Sequence, residues 1–299
     1  MKQLVRTVLL CLVLGVVALA VPDSTRAPQE LTLVKVQKAQ GVDVRPDMVW
    51  ILAVGSDARP RQDPLRTRGD ALQLIGMNTR TGAATSIGIP RDSWVPIPGH
   101  GSNKINAALY FGGPQALGRA VGNLIGVQPD YVLVTTFSGL ARMVHAIGGI
   151  TVQNPRPFAD SSLKPRGFRK GRIKLNNMDA VVFGRIRHAL PRGDFDRSAN
   201  QQRVIRGIQR KVAANADKPG FIEKGLMTVM RNIYTRGIPP TELYRIAQAV
   251  AQVDPAKVTG CVLPGGIGNI GGASVVLPNR AVARRYGDDA RKDAVIRHC

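Results

Sequence analysis

From Met48 onward the sequence alternates between short runs rich in Val and Ile and longer stretches with apolar residues at helical spacing. This alternation constrains the fold more than any other feature. Strands buried on both faces read as near-continuous apolar runs, and strands that take turns with helices assemble into one sheet covered on both sides. Strands are expected at residues 49–54, 72–77, 85–89, 131–135, 150–152 and 257–263, and helices after Pro114, Phe137, Asn177, Arg197, Pro219, Pro240 and Asn279. The fold class is therefore α/β. No internal period of about 20–50 residues is present, which excludes a solenoid. With 299 residues and 44% apolar content the chain can bury one sizeable core, so disorder and a disulfide-stapled miniprotein are excluded as well.

The N-terminus reads as an export signal. Lys2 and Arg6 precede an uninterrupted apolar or small run over residues 7–21, which ends in Ala18-Leu19-Ala20. A basic start, an apolar middle and an A-x-A end match a signal peptide, and the run falls short of the roughly 20 residues that span a bilayer. An uncleaved anchor would draw on Leu4 and Val5 to lengthen it. Residues 1–22 are thus read as a signal peptide or signal anchor, 23–46 as a polar, Pro-containing linker, and 47–299 as the folded domain, with 221–299 completing it.

Export fixes the meaning of the charge. Lys plus Arg total 42 against 20 Asp plus Glu, a formal +22, and such an excess calls for anionic partners. Outside the cytoplasm these are lipid phosphates at the membrane surface, diphosphate-linked carriers and wall polymers, and no nucleic acid. In that compartment Cys261 and Cys299 read as a disulfide.

Several short segments carry chemistry. Val54-Gly55-Ser56-Asp57-Ala58-Arg59 ends a buried strand and turns at a glycine, where α/β sheets expose their ligand sites. Arg68-Gly69-Asp70 opens the next strand. Asp57 and Asp70, at neighbouring strand ends, could share a hard divalent cation through oxygen ligands, or each could pair with its local arginine, Arg59 or Arg68. Farther on come Ile89-Pro90-Arg91-Asp92, Lys104-Ile105-Asn106-Ala107-Ala108, Gly184-Arg185-Ile186-Arg187 and Gly193-Asp194-Phe195-Asp196-Arg197, followed by Gln201-Gln202. Arg197 and Gln201, four apart, share one helical face. Arg185 and Arg187 converge only where a helix from Asn177 has ended. His100, His145, His188 and His298 are too scattered to suggest a metal cluster. The Gly-rich stretch at residues 265–272 lacks the strand, G-x-G-x-x-G and helix order of a dinucleotide fingerprint, and is expected to be a surface loop or, alternatively, a flap over an acceptor site.

In this order and at these separations, from about Trp50 to Lys211, the segments resemble the LytR-CpsA-Psr family of bacterial cell-wall glycopolymer ligases. The resemblance implies a three-layer αβα domain with a mixed central sheet and an apolar groove that holds a polyprenyl chain. It also implies that Asp57 and Asp70 hold Mg²⁺, and that Arg91, Arg185, Arg187, Arg197 and Gln201 surround a pyrophosphate, with Asp194 orienting the cluster. Asp70 and Arg91 become the catalytic pair. Two positions depart from the usual pattern: Asn200 stands where many members have Arg, and Gly69 where many have Ser.

The activity implied is Mg²⁺-dependent transfer of a phospho-glycopolymer from a polyprenyl-pyrophosphate carrier to a hydroxyl of peptidoglycan. A metal and several guanidinium groups suit the charge that such a transfer develops on phosphate oxygens. The same residues would serve a polyprenyl-pyrophosphate pyrophosphatase. Charge alone would serve a non-enzymatic polyanion- or wall-binding protein, whose affinity should fall steeply with salt.

Overall fold

The computed structural model describes residues 31–37, 45, 47–215, 218, 233–236 and 238–299. Four strands come first: β1 (Leu31–Lys35), β2 (Met48–Ser56), β3 (Gly69–Asn78) and β4 (Ala84–Gly88). A small hairpin, β5 (Trp94–Pro96) and β6 (Ser102–Lys104), leads into α1 (Ala107–Ile125), β7 (Tyr131–Thr135) and α2 (Phe137–Ala146). Short strands β8 (Ile150–Asn154), β9 (Phe158–Asp160), β10 (Lys164–Phe168) and β11 (Gly171–Leu175) precede α3 (Asn177–Phe183) and α4 (Asp194–Ala213). The remainder is β12 (Ile233–Arg236), α5 (Pro240–Gln252), β13 (Val258–Val262), β14 (Gly265–Ile270), β15 (Ala273–Pro278) and α6 (Arg280–Asp293).

The central sheet has seven strands in the order β12-β1-β7-β2-β3-β4-β13. It is mixed: β7 runs parallel to β2, whereas β3 runs antiparallel to both β2 and β4. The two-residue period of β2 sorts its side chains to opposite faces. Trp50, Leu52 and Val54 pack with Leu117 and Val121 of α1 and with Ala283 and Tyr286 of α6. Ile51 faces the other way, toward Ala249 of α5 and Val253 just after it. The result is three layers, helix–sheet–helix. Gly76 of β3 is required by this packing, because a Cβ there would stand 2.5 Å from the Trp50 ring. Beside α2 and α3 a satellite core gathers Phe158, Phe168 and Phe183, with ring centroids 5.2–5.3 Å apart.

Four expectations are corrected. The supposed linker at 23–46 contains β1, which lies inside the sheet between β12 and β7. Its Leu31, Leu33 and Val34 are buried, so the described fold begins before Met48. The strand expected at 150–152 pairs with β11 in a separate hairpin and is no part of the central sheet. The helix expected after Pro114 starts at Ala107; Gly112 and Gly113 break its geometry, Gly113 at φ +64°, and Pro114 begins the regular part. The glycine-rich stretch is no loop but the hairpin β14–β15, turning at Gly271 and Gly272 with φ +58° and +79°.

The signal segment and the helix expected after Pro219 lie outside the described residues. Among those described, no helix is long and apolar enough to cross a membrane. Cys261 on β13 is bonded to Cys299, with Cα atoms 5.4 Å apart, which ties the C-terminus to a sheet edge.

Candidate functional site

The site forms where β2 ends and β3 begins. Pairing of these strands runs regularly up to Gly55 opposite Ala71, then shifts, so that Ser56 faces Gly69. Asp70 is the extra residue. A bulge of this kind re-aims a side chain, and the Asp70 carboxylate meets Nη1 of Arg91 in an ion pair. Neither acid pairs with its local arginine. Asp57, one residue beyond the strand, donates its backbone N–H to the Arg68 carbonyl at 3.2 Å, and its carboxylate has no ion pair among the described residues. Ser56 fixes the loop that follows: its hydroxyl is 2.6 Å from that of Thr67 and 3.0 Å from the Pro64 carbonyl.

Arg91 follows β4 and carries the centre of the charge. Burial acts to lower its pKa, but the ion pair and hydrogen bond with Asp70 outweigh it and leave the value raised. Its Nε is buried without a hydrogen-bond partner. The first turn of α4 delivers Arg197, whose Nη2 lies 3.1 Å from Asp194, and the segment after α3 delivers Arg187, 3.5 Å from the same Asp194 oxygen. Asp194 thus lies within ion-pair distance of two arginines. Burial lowers the Arg197 pKa against the pull of Asp194, and the neighbouring Arg91 lowers it further. Asp92 beside them is held below the carboxylate range: burial acts to raise it, and the Lys104 ammonium, 3.2 Å away, and Arg91 outweigh that.

Gln201 sits within this group. Its amide donates to the Gly184 carbonyl at 3.1 Å and to the Asp70 carbonyl at 3.5 Å. Arg185 behaves differently: it is exposed and lies over the Phe137 ring, 4.3 Å from its centroid. Sequence reasoning missed the scaffold behind these residues. Gln73 of β3 donates to Ser198 Oγ at 3.0 Å, and Gln202 donates to the Ser86 and Cys261 carbonyls at 3.0 and 2.8 Å, which bolts α4 across β3, β4 and β13. The lone glutamine within the apolar run of β3 was the signal available.

Next to the charged cluster is an apolar cavity of about 500 Å³ between the sheet and helices α2, α4 and α5. Its origin is visible in the strands. Along β2 the inward residues shrink from Ile51 to Ala53 to Gly55, and β3 sets Ala71 opposite Gly55, so the sheet surface recedes toward the carboxylates. Asp70, Arg91, Arg185, Arg187, Arg197 and Gln201 all line this cavity; Asp57 does not. No group of three or more His, Cys, Asp or Glu able to hold a metal occurs among the described residues.

The LytR-CpsA-Psr family model matches residues 22–288. The chain belongs to this family. A curated relative, the polyisoprenyl-teichoic acid–peptidoglycan teichoic acid transferase TagU of Bacillus anthracis, is 33% identical over 188 residues, covering 62% of this chain and 60% of that protein. The chain thus spans about three fifths of the length of that relative. Among solved structures, TagV of B. subtilis superposes with a TM-score of 0.70 at 24% identity, over 84% of this chain and 99% of the other. TagU of B. subtilis gives 0.62 at 25% identity, over 85% and 99%.

Family membership gives weight to the two departures. Asn200 is buried, accepts a 2.7 Å bond from Arg203 and does not line the apolar cavity. This LytR-CpsA-Psr member therefore places no cation from that position in the cavity. Gly69 is packed against Leu72 and Val54, each 3.1 Å from where a Cβ would stand, so a Ser there would need these neighbours to give slightly.

Proposed function

We propose that the protein transfers a phosphate-linked glycan from a polyprenyl-diphosphate carrier to a hydroxyl of peptidoglycan, outside the cytoplasm and at the membrane surface. One observation carries this reading: Arg91, Arg187 and Arg197 converge at the mouth of an apolar cavity. A polyprenyl tail needs an apolar space, and its diphosphate needs cations at the entrance to that space. The name of the TagU relative, a polyisoprenyl-linked donor and a peptidoglycan acceptor, supports the same assignment. The Cys261–Cys299 bond supports an oxidising location.

The chain's own groups perform three tasks. The guanidinium groups of Arg91, Arg187 and Arg197 bind the diphosphate and stabilise the charge that grows on its oxygens during displacement. Asp194 holds two of them in place. The acceptor oxygen bonds to the glycan-side phosphorus and the bridging P–O bond breaks; polyprenyl phosphate departs with the bond pair. The hydroxyl proton ends on that departing phosphate, carried there by Asp70. Asp57 and Asp70 suit Mg²⁺ in kind, since they offer oxygen donors at adjacent strand ends and leave the other positions to water and phosphate. Bound there, the ion would neutralise diphosphate charge.

The test is transfer by the purified protein from a polyprenyl-diphosphate saccharide to a peptidoglycan acceptor, with Mg²⁺ and with chelator. Arg91→Ala is expected to lower kcat/KM by about a hundredfold or more while the melting temperature moves by only a few degrees. Release of polyprenyl phosphate at equal rates with and without acceptor would replace transfer by hydrolysis.

A further inference from the structure

A second cleft, about 760 Å³, lies between the segment joining α3 to α4 and the β14–β15 hairpin. Its volume is in the range of ligand sites. The hairpin is fixed in place: Ser93 bridges to Val276, and the Val276 N–H donates to the Asp92 carbonyl at 2.9 Å. This cleft meets the apolar cavity at one place only among the described residues, Arg187 and His188, which line both. A phosphate held by Arg187 would face the tail cavity on one side and this cleft on the other.

We propose that the cleft binds the acceptor, an N-acetylhexosamine glycan strand, with its reactive hydroxyl at the Arg187–His188 end. The proposal rests on the transferase reading above. Displacement at phosphorus places the attacking and leaving oxygens in line on opposite sides. The leaving oxygen carries the polyprenyl tail and so points into the apolar cavity; the attacking hydroxyl enters from the opposite side, where the cleft opens. The electrostatics favour this occupant over an anionic donor polymer. The charged side chains of the cleft are already paired, Arg187 with Asp194, Arg192 with Asp196, and Asp92 with Lys104 and Arg91. A neutral, hydroxyl-rich strand pays no charge penalty there. Its walls carry Phe195 and Ile267, the latter 71% exposed and unused by the fold, against which the C–H faces of sugar rings can lie.

The experiment uses two substitutions at exposed positions of the hairpin, Ile267→Glu and Ser274→Trp, with melting temperature as the control for folding. Binding of tetra-N-acetylchitotetraose, a neutral N-acetylhexosamine tetrasaccharide, is measured by calorimetry on the carrier-free protein, and transfer is measured with each substrate varied in turn. The expected result is that Kd and the acceptor KM both rise by about tenfold while the carrier KM moves less than about twofold. A rise in carrier KM with acceptor KM unchanged overturns the proposal and gives the cleft to the donor saccharide. No change in either, or no tetrasaccharide binding to the wild type, overturns it too. Tetrasaccharide binding that the substitutions weaken, in a protein that transfers nothing, would support the cleft while refuting the transferase reading.

Discussion

Asp196 illustrates how single residues set the behaviour of the site's first helical turn. Its carboxylate accepts from the Arg192 N–H at 3.1 Å and from Arg192 Nε at 2.9 Å. Burial acts to raise its pKa, and these bonds outweigh it, so the folded value lies below the ordinary 3.8. A depressed carboxylate contributes stability that is full above its unfolded pKa and is lost as pH falls through the folded value. Asp196→Asn is therefore expected to cost about 1–2 kcal/mol near neutral pH, and the cost should shrink as pH falls through the folded pKa. Thermal melts of both proteins across that range would check it; parallel curves would refute it. At this scale the sequence was most informative. Arg91, Arg187, Arg197, Gln201 and Asp194 were named from short motifs, and the structure brings them to one place. Asp70 and Arg91 were both named, but the ion pair between them was not foreseen, because the bulge that turns Asp70 depends on how β2 and β3 slip past each other.

Among the elements, β1 is the instructive case. Five residues flanked by charged and Pro-containing sequence carry no periodic signal of their own, and the strand exists because β7 and β12, about 100 and 200 residues away, supply both of its edges. The longer strands were legible because burial on both faces leaves a run of Val and Ile whatever the partners. The β14–β15 hairpin was hidden for a related reason: its glycines read as a surface loop in isolation, while its two strands pair with each other and dock through the bridge to Ser93. Leu33→Ala is expected to lower stability by about 3 kcal/mol, as for other buried leucines. A chain begun at residue 47 should lose more, since it leaves the facing edges of β7 and β12 unpaired. Urea unfolding midpoints would measure both, and a truncated protein as stable as the full chain would show β1 to be dispensable.

For the molecule as a whole, the question is why an α/β core should contain an unfilled space. The small inward residues of β2 create it, and the helices that would close it stand off across the sheet. The apolar lining was invisible in the sequence, since its residues come from strands and helices that each look like ordinary core. Ala53→Phe should fill part of the space. We expect it to raise the KM of a long-chain polyprenyl-diphosphate carrier while leaving a carrier with a single prenyl unit nearly unaffected, in line with about 0.8 kcal/mol for each CH₂ no longer buried. Equal effects on both carriers would place the tail elsewhere.

The direction of β1 has one more implication. Leu31 pairs with Thr135, which itself lines the apolar cavity and precedes Phe137 at its mouth. The backbone upstream of Leu31 thus joins the domain at its arginine-bearing pole, not at the opposite one. Anything anchoring that upstream stretch would pull this pole toward the anchorage, so a lipid-borne donor would meet its receptor head-on without the domain having to turn over.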